Sequence, residues 1–375
     1  MKQGWEKKKI NDIASIYSGN SINEEEKKEK YLKINGGLPY IATKDISFDG
    51  VINYDNGVRI PIDYIKNFKV APANATLICA EGGSAGKKIG FNTNEVCFVN
   101  KLFAIIPNNK IEGKFIYYWA QSPDFRKQFI AHLSGLIGGV SLNKFRDIEI
   151  VLPSYQEQLR IVNILDEAFA AIETAKANTE KNLQNVRELF EGYLHGIKAD
   201  KTRLRDLVSI KTGKLDANAA KPDGQYPFFT CAREVYAIDE YAFDCEAILL
   251  AGNNAVGDFN VKHYNGKFNA YQRTYVITVN QDSKVLYRYL YFQLLDKLKE
   301  FKEKAVGAGT KFLKLGMIQD MQIPLPSLEH QEDIVAKLDT LEKETKQLDD
   351  IYRQKLFGLE DLKRSILQKA FNGEL

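Results

Sequence analysis

Apolar residues recur along two stretches of this chain with a step that alternates between four and three. One stretch reads Ile334, Leu338, Leu341, Thr345, Leu348, Tyr352, Lys355, Leu359, Leu362 and Ile366; the other reads Ile161, Leu165, Ala168, Ile172, Ala175, Thr179, Asn182, Val186, Leu189 and Tyr193. This is heptad spacing, and it predicts two helices of about 44 residues, roughly 66 Å long at 1.5 Å per residue. Pro153 and Pro326 stand just ahead of them, with Ser154 and Ser327 placed as N-caps. Both seams turn polar at one level, Thr179 with Asn182 and Tyr352 with Lys355, positions expected to set register at some cost in stability. Helices this long expose an apolar stripe unless they pair, either with each other or with those of a second copy.

The two stretches are copies. "IVLPSYQEQLRIVNILD" (Ile150 to Asp166) and "IPLPSLEHQEDIVAKLD" (Ile323 to Asp339) lie 173 residues apart and share Leu152 with Leu325, Pro153 with Pro326, Gln158 with Gln331 and Leu165 with Leu338. The segments ahead of them read differently. They carry short β-rich runs, "ATLICA" (Ala75 to Ala80), "CFVNKLFAII" (Cys97 to Ile106), "EAILLA" (Glu246 to Ala251) and "RTYVITV" (Arg273 to Val279), separated by Gly and Asn clusters. These segments are faintly related too. "INDIASIYSG" faces "LRDLVSIKTG" with Gly19 over Gly213, "YIATKDIS" faces "FFTCAREV", and "AEGGSAGKK" faces "AGNNAVGDF" with Gly86 over Gly257, which puts Lys101 in the place of Gln272. The expected order is a globule over 1–151, a helix over 152–199, a second globule over 200–324 and a second helix over 325–375, an α+β architecture with an internal pseudo-two-fold repeat.

Composition narrows the function without deciding it. The chain has 375 residues, 44% of them hydrophobic and 27% charged, which suits a folded protein of two or more domains. No apolar run reaches the length of a membrane span and no signal-peptide core opens the chain, so a cytoplasmic location is expected. Cys79, Cys97, Cys231 and Cys245 are far apart and are expected to be buried, reduced thiols. With 52 basic and 49 acidic residues the net charge is only +3, so a nucleic-acid site would have to be local.

Catalytic patterns do not assemble. "EGGSAGKKIG" departs from a phosphate loop at Glu81 and Lys88, where glycine and Ser or Thr are required. His132, His195, His263 and His330 have no metal-ligand spacing, and no G-x-S-x-G elbow, nuclease carboxylate set or methyltransferase motif occurs.

Two variable globules alternating with two mutually similar helices, each opened by an "LPS…Q…I" phrase and the second closed by "LQKAFNGEL", resemble the specificity subunits of type I restriction-modification systems over the whole chain. The first helix closes instead on "YLHGIKAD". The resemblance implies two α/β target recognition domains, each reading one half of a split double-stranded DNA site, on helices that pair as an antiparallel coiled coil. It implies methyltransferase subunits, two in number, docked on the helices, and restriction/translocase subunits beyond them. S-adenosylmethionine, ATP and Mg²⁺ would sit on those partners and none in this chain, which would itself be non-catalytic.

On that reading the helix-pairing residues are Ile161, Leu165, Ile172, Val186, Leu189, Ile334, Leu338, Leu341, Leu348, Leu359, Leu362 and Ile366. DNA-contacting candidates in the first globule are Lys44, Lys87, Lys88, Lys101 and Lys144, with Asn100 as an adenine reader; in the second they are Arg233, Lys262, Gln272, Arg273, Lys311 and Lys314. Two other classes stay open: a non-enzymatic coiled-coil scaffold whose globules bind proteins, and a self-sufficient nuclease or methyltransferase.

Overall fold

The computed structural model describes residues 3–135, 138–307 and 309–375, with Arg187 described by its backbone alone. The chain divides into two compact units, one of residues 1–178 with 354–375 and the other of residues 179–353. The division cuts through both long helices, Tyr155–His195 and Leu328–Asn372, so each unit holds one globule and a piece of each helix.

In the first unit, strand Glu6–Lys9 pairs antiparallel with Glu149–Leu152, the strand that feeds the first long helix. The same device recurs in the second unit, where Lys201–Arg203 pairs with Gln322–Pro324. Beyond it a one-turn helix buries two apolar residues, Ile10 and Ile13 in one globule and Leu204 and Leu207 in the other. A strand follows, and a shared sheet order: Ala14–Ser18, Leu102–Pro107, Thr76–Cys79, Ile89–Phe91 in the first globule, and Val208–Thr212, Thr274–Val279, Phe243–Ala251, Val261–Ala270 in the second.

The β-rich run "CFVNKLFAII" holds parts of two strands. Val96–Phe98 pairs parallel with Leu38–Ile41 in a separate four-stranded sheet, whereas Leu102–Pro107 joins the sheet above. A tight turn at Asn100 and Lys101 separates them, closed by Leu102 N–H donating to the Val99 carbonyl at 3.1 Å. Gly19 and Gly213 are required where the chain passes this point. A Cβ on Gly19 would sit 1.9 Å from the Phe98 carbonyl oxygen, and one on Gly213 would sit 1.8 Å from that of Ala270.

The repeated Gln is the joint between helix and globule. Gln158 is 1% exposed; its Oε1 accepts from the backbone N–H of Glu112 at 2.9 Å and its Nε2 donates to the Pro153 carbonyl at 3.0 Å. Gln331, fully buried, accepts from Leu286 N–H at 2.9 Å and donates to the carbonyls of Pro326 and Lys284, both at 2.9 Å. Glu112 and Leu286 are the N-caps of the helices Gly113–Trp119 and Tyr287–Asp296. One amide therefore ties the start of a long helix to the start of a short one. The shared Asp adds a second tie: Asp166 accepts from Lys114 Nζ at 2.7 Å and from the Tyr118 hydroxyl, and Asp339 accepts from Arg288 Nε at 2.7 Å. Burial, then Asp166, pushes the Tyr118 phenol up in pKa and keeps it a donor.

The helix seams differ from the heptad expectation in one respect. Ile161, Leu165, Ile172 and Leu338 are buried, and Val186, Ile334, Leu341, Leu348, Leu359 and Ile366 are half-buried, but Leu189 is 63% and Leu362 is 47% exposed. Of the polar positions expected to set register, Thr179 is buried and Tyr352 half-buried, whereas Asn182 and Lys355 are exposed, so burial of the last two cannot set register. The buried face follows a step of eleven instead: Ile161, Ile172, Leu183 and Leu194 in one helix, Ile334, Thr345, Leu356 and Leu367 in the other, all buried or half-buried. Eleven residues make three turns at 3.67 per turn, whereas a straight helix drifts by about 20° per heptad and carries the later heptad positions out to solvent.

Within the first unit, Leu367 and Ala370 of the second helix are buried with Ile161, Leu165, Phe169 and Ile172 of the first, Lys176 pairs with Glu360, and Phe371 packs on Phe115 at 5.1 Å between ring centroids. Within the second unit, Leu194 and Phe190 cluster with Phe292 and Leu338. "YLHGIKAD" thus docks much as "AFNGEL" does, with His195 Nε2 at 2.9 Å from Asp296. Cys79 and Cys97 are buried, and burial pushes the Cys97 thiol up to about 12; Cys231 and Cys245 are only half-buried.

Gln158→Ala or Gln331→Ala leaves a buried N–H and a Pro carbonyl unpaired, so each should lower unfolding free energy by about 1–3 kcal/mol in denaturant titration, against less than about 0.5 kcal/mol for the surface Gln184→Ala. Two glycine changes should move stability in opposite directions. Gly213→Ala destabilises through the Ala270 clash, while Gly358→Ala, on an open helix surface with nothing within 4 Å, raises stability by roughly 0.5–1 kcal/mol. Thermal melts of both proteins, compared with the unaltered chain, check the two signs.

Candidate nucleic-acid interface

In the first globule the predicted cations gather around the glycine loop Glu81–Lys88. Lys101 reaches Glu81 at 3.3 Å, and its carbonyl accepts from Ala80 N–H at 2.9 Å. Lys88 donates to the Thr43 carbonyl at 3.0 Å and lies 5.2 Å above the Phe48 ring, which brings the segment carrying exposed Lys44 alongside. Lys87 donates to the Gly83 carbonyl within the loop at 3.1 Å. Gly86 takes φ +66°, and a Cβ there would strike the Phe129 ring at 2.6 Å, which explains a glycine at the loop's return. Asn100 is exposed beside Lys101. Lys144 is set off on the short helix Leu142–Arg146, reached through Val140, whose N–H donates to the Ala80 carbonyl at 2.9 Å.

In the second globule the corresponding loop runs from Gly252 to Asn260, with Gly257 at φ +74°. Arg233 pairs with Asp258 at 2.7 Å, both groups being more than half exposed. Arg273 lies 5.0 Å from the Phe312 ring, and its carbonyl accepts from Gly252 N–H at 2.9 Å. Lys311 faces Asn254 in a two-residue strand pair, and Lys314 caps the next short helix. Lys262 is turned inward. It donates to the Ala232 carbonyl at 2.7 Å and to Asn260 Oδ1, and burial pulls its pKa down, so it fastens the loop from beneath. Gln272 donates to Asp216.

The register of the sheets corrects one correspondence. Counting from the glycine loops set Lys101 against Gln272. The matched bonds Ala80 N–H to Lys101 and Gly252 N–H to Arg273 set Lys101 against Arg273, and therefore Asn100 against Gln272. The loops differ in length by one residue relative to the strands, and the ladder, not the loop, fixes the turn.

Sequence reasoning missed Phe48, an exposed ring 65% open to solvent that shares a surface hollow with Gly86, Lys87, Gln121 and Arg126. An aromatic flanked by lysines is the pattern that would have found it. The ion pairs Lys101–Glu81 and Arg233–Asp258 are solvent-exposed and contribute little to folding, so their cations can be released to a phosphate at low cost. Each platform offers what duplex recognition needs, namely exposed cations for the backbone and an amide for a base edge. Among the described residues no group of three or more His, Cys, Asp or Glu could hold a metal ion, and no helix is long and apolar enough to cross a membrane.

The family model described as "Type I restriction modification DNA specificity domain" matches residues 2–184 and 197–353. The chain is 44% identical over 172 residues to the type I restriction enzyme EcoDI specificity subunit of Escherichia coli, a match covering 46% of this chain and 37% of that protein. It is 21% identical to the StySPI specificity subunit of Salmonella potsdam, over 100% of this chain and 90% of that one. Its fold is similar to that of a chain solved to explain complex assembly and conformational transition of the type I R-M system (TM-score 0.76, 17% identity, 100% and 99% covered). It is also similar to the HsdS subunit of Thermoanaerobacter tengcongensis (TM-score 0.55, 17% identity, 100% and 98% covered). With both of its repeats matched by that model, the chain belongs to the type I restriction-modification DNA specificity family.

Proposed function

We propose that this chain is the DNA-reading subunit of a type I restriction-modification complex, binding an asymmetric bipartite duplex site with one globule per half. The observation that carries the reading is the repeated platform, in which one turn and one glycine loop are mounted on the same sheet order in both globules but bear different side chains. Equivalent mounts carrying residues of different identity and set in different surroundings are what two unlike half-sites require. The long helices act as an antiparallel coiled-coil spacer that sets the gap, a role supported by the packing of the second helix's last turns on the start of the first within one unit. They also serve as the dock for two methyltransferase subunits, with restriction/translocase subunits joining that assembly.

The chain itself is non-catalytic on this reading and works in the cytoplasm. S-adenosylmethionine is held by the methyltransferase subunits, and ATP and Mg²⁺ by its other partners.

Selection from a random duplex library, using the chain co-purified with the methyltransferase subunits of its system, should return two unlike short motifs at a constant gap. A single motif would mean that one globule does not read DNA. No enrichment would favour a protein-binding scaffold. In salt titrations of the same complex, Lys44→Ala with Lys87→Ala should weaken binding to all duplexes alike and lower the log–log slope by about two, since each phosphate contact contributes about 0.9.

A further inference from the structure

The structure singles out one element that the two globules share in chemistry as well as in place, the four-residue turn Val99–Leu102 and its counterpart Tyr271–Thr274. Each is fixed at three points. Val99 N–H donates to the Ile41 carbonyl and Tyr271 N–H to that of Phe229, both at 2.9 Å. The turns close through Leu102 N–H to Val99 (3.1 Å) and Thr274 N–H to Tyr271 (2.8 Å). The glycine-loop side is fixed through Ala80 N–H to Lys101 and Gly252 N–H to Arg273, both at 2.9 Å. The two central residues of each turn are exposed: Asn100 with Lys101, and Gln272 with Arg273. Around them the sequences differ, yet an amide followed by a cation stands on both tips.

We propose that Asn100 and Gln272 are the matched base-reading residues of the two half-sites, each pairing its amide with a base edge that offers an acceptor beside a donor, as adenine does in the major groove, while Lys101 and Arg273 hold the adjoining phosphates. The inference rests on the split-reader function proposed above. Asn100 is exposed, and among the described residues no side-chain hydrogen bond engages its amide, so its oxygen and nitrogen are uncommitted. Gln272 gives one N–H to Asp216, which fixes the plane of the longer side chain and leaves Oε1 and the second N–H for a base. The cations are held by breakable contacts, Lys101 by an exposed carboxylate and Arg273 by a ring.

The test is the same library selection on the complex with its methyltransferase subunits, run for the unaltered chain, Asn100→Ala, Asn100→Asp, Gln272→Ala and Lys101→Ala. Asn100→Ala should flatten the preference at one base pair of one half-site by about tenfold or more, with the other half-site and the gap unchanged. Asn100→Asp, which keeps the shape but loses the donor, should lose the same preference, and Gln272→Ala should act on the other half-site alone. Lys101→Ala should weaken all sequences alike and reduce the salt slope by about one. Unchanged motifs in Asn100→Ala and Gln272→Ala, or a base-specific loss in Lys101→Ala, would overturn the assignment. If the unaltered complex selects nothing, it is the split-reader function that fails. An Asn100→Ala protein whose melting temperature matches the unaltered chain excludes misfolding as the cause.

Discussion

The position of everything else follows from a single buried amide used twice. Gln158 and Gln331 each take a backbone N–H from the N-cap residue of a short helix and return an N–H to the proline carbonyl that opens a long one. Both groups are cut off from water, so an unmade bond would cost the full desolvation of a polar group. A hydrophobic contact could hold the two helices together but would tolerate sliding. The amide, with one donor and one acceptor committed in fixed directions, sets angle and register at the joint.

That explains which parts of the repeat are close copies and which are not. The phrase "LPS…Q…I…LD" encodes the proline stop, the cap, the clamp and the carboxylate that grips Lys114 or Arg288, and all of these act at the joint. Past the joint, the requirement relaxes to the sheet order and to two glycines that let the chain pass a carbonyl, Gly19 and Gly213. At the tips even that requirement ends, apart from the amide–cation turn. Divergence grows with distance from the joint, which is how a scaffold with interchangeable reading surfaces is expected to look.

The repeat, the two long helices and the strand-rich globules were all legible in the sequence, because proline, serine and the buried Gln are local signals at a fixed spacing. The seam was legible only in part. Leu189 and Leu362 satisfy a heptad count yet face solvent, since a count of seven accumulates error against 3.6 residues per turn, and the eleven-residue step from Ile161 to Leu194 emerges only when burial is seen. The β-rich character of "CFVNKLFAII" was legible, but nothing local reveals that its halves belong to different sheets. The inward turn of Lys262 was equally invisible, because a lysine that ties down a loop and one that meets a phosphate have the same side chain and neighbours of the same kind.

The stiffness of its mount also governs what an exposed cation can do. On the proposed reading, a phosphate-holding cation positions the neighbouring base reader only if its mount is stiffer than its side chain, because a mobile mount would let that reader average over bases. Lys101 and Arg273 sit on turns held at three points, and Lys144 stands on a short helix capped by Ser141 and anchored by the fully buried Phe145. On the proposed reading, cations on such mounts would fix the protein's register on the duplex, while flexibly held ones would only add attraction. With 52 basic residues nearly balanced by 49 acidic ones the overall field is weak, so on that reading register, more than field, would determine where the protein comes to rest.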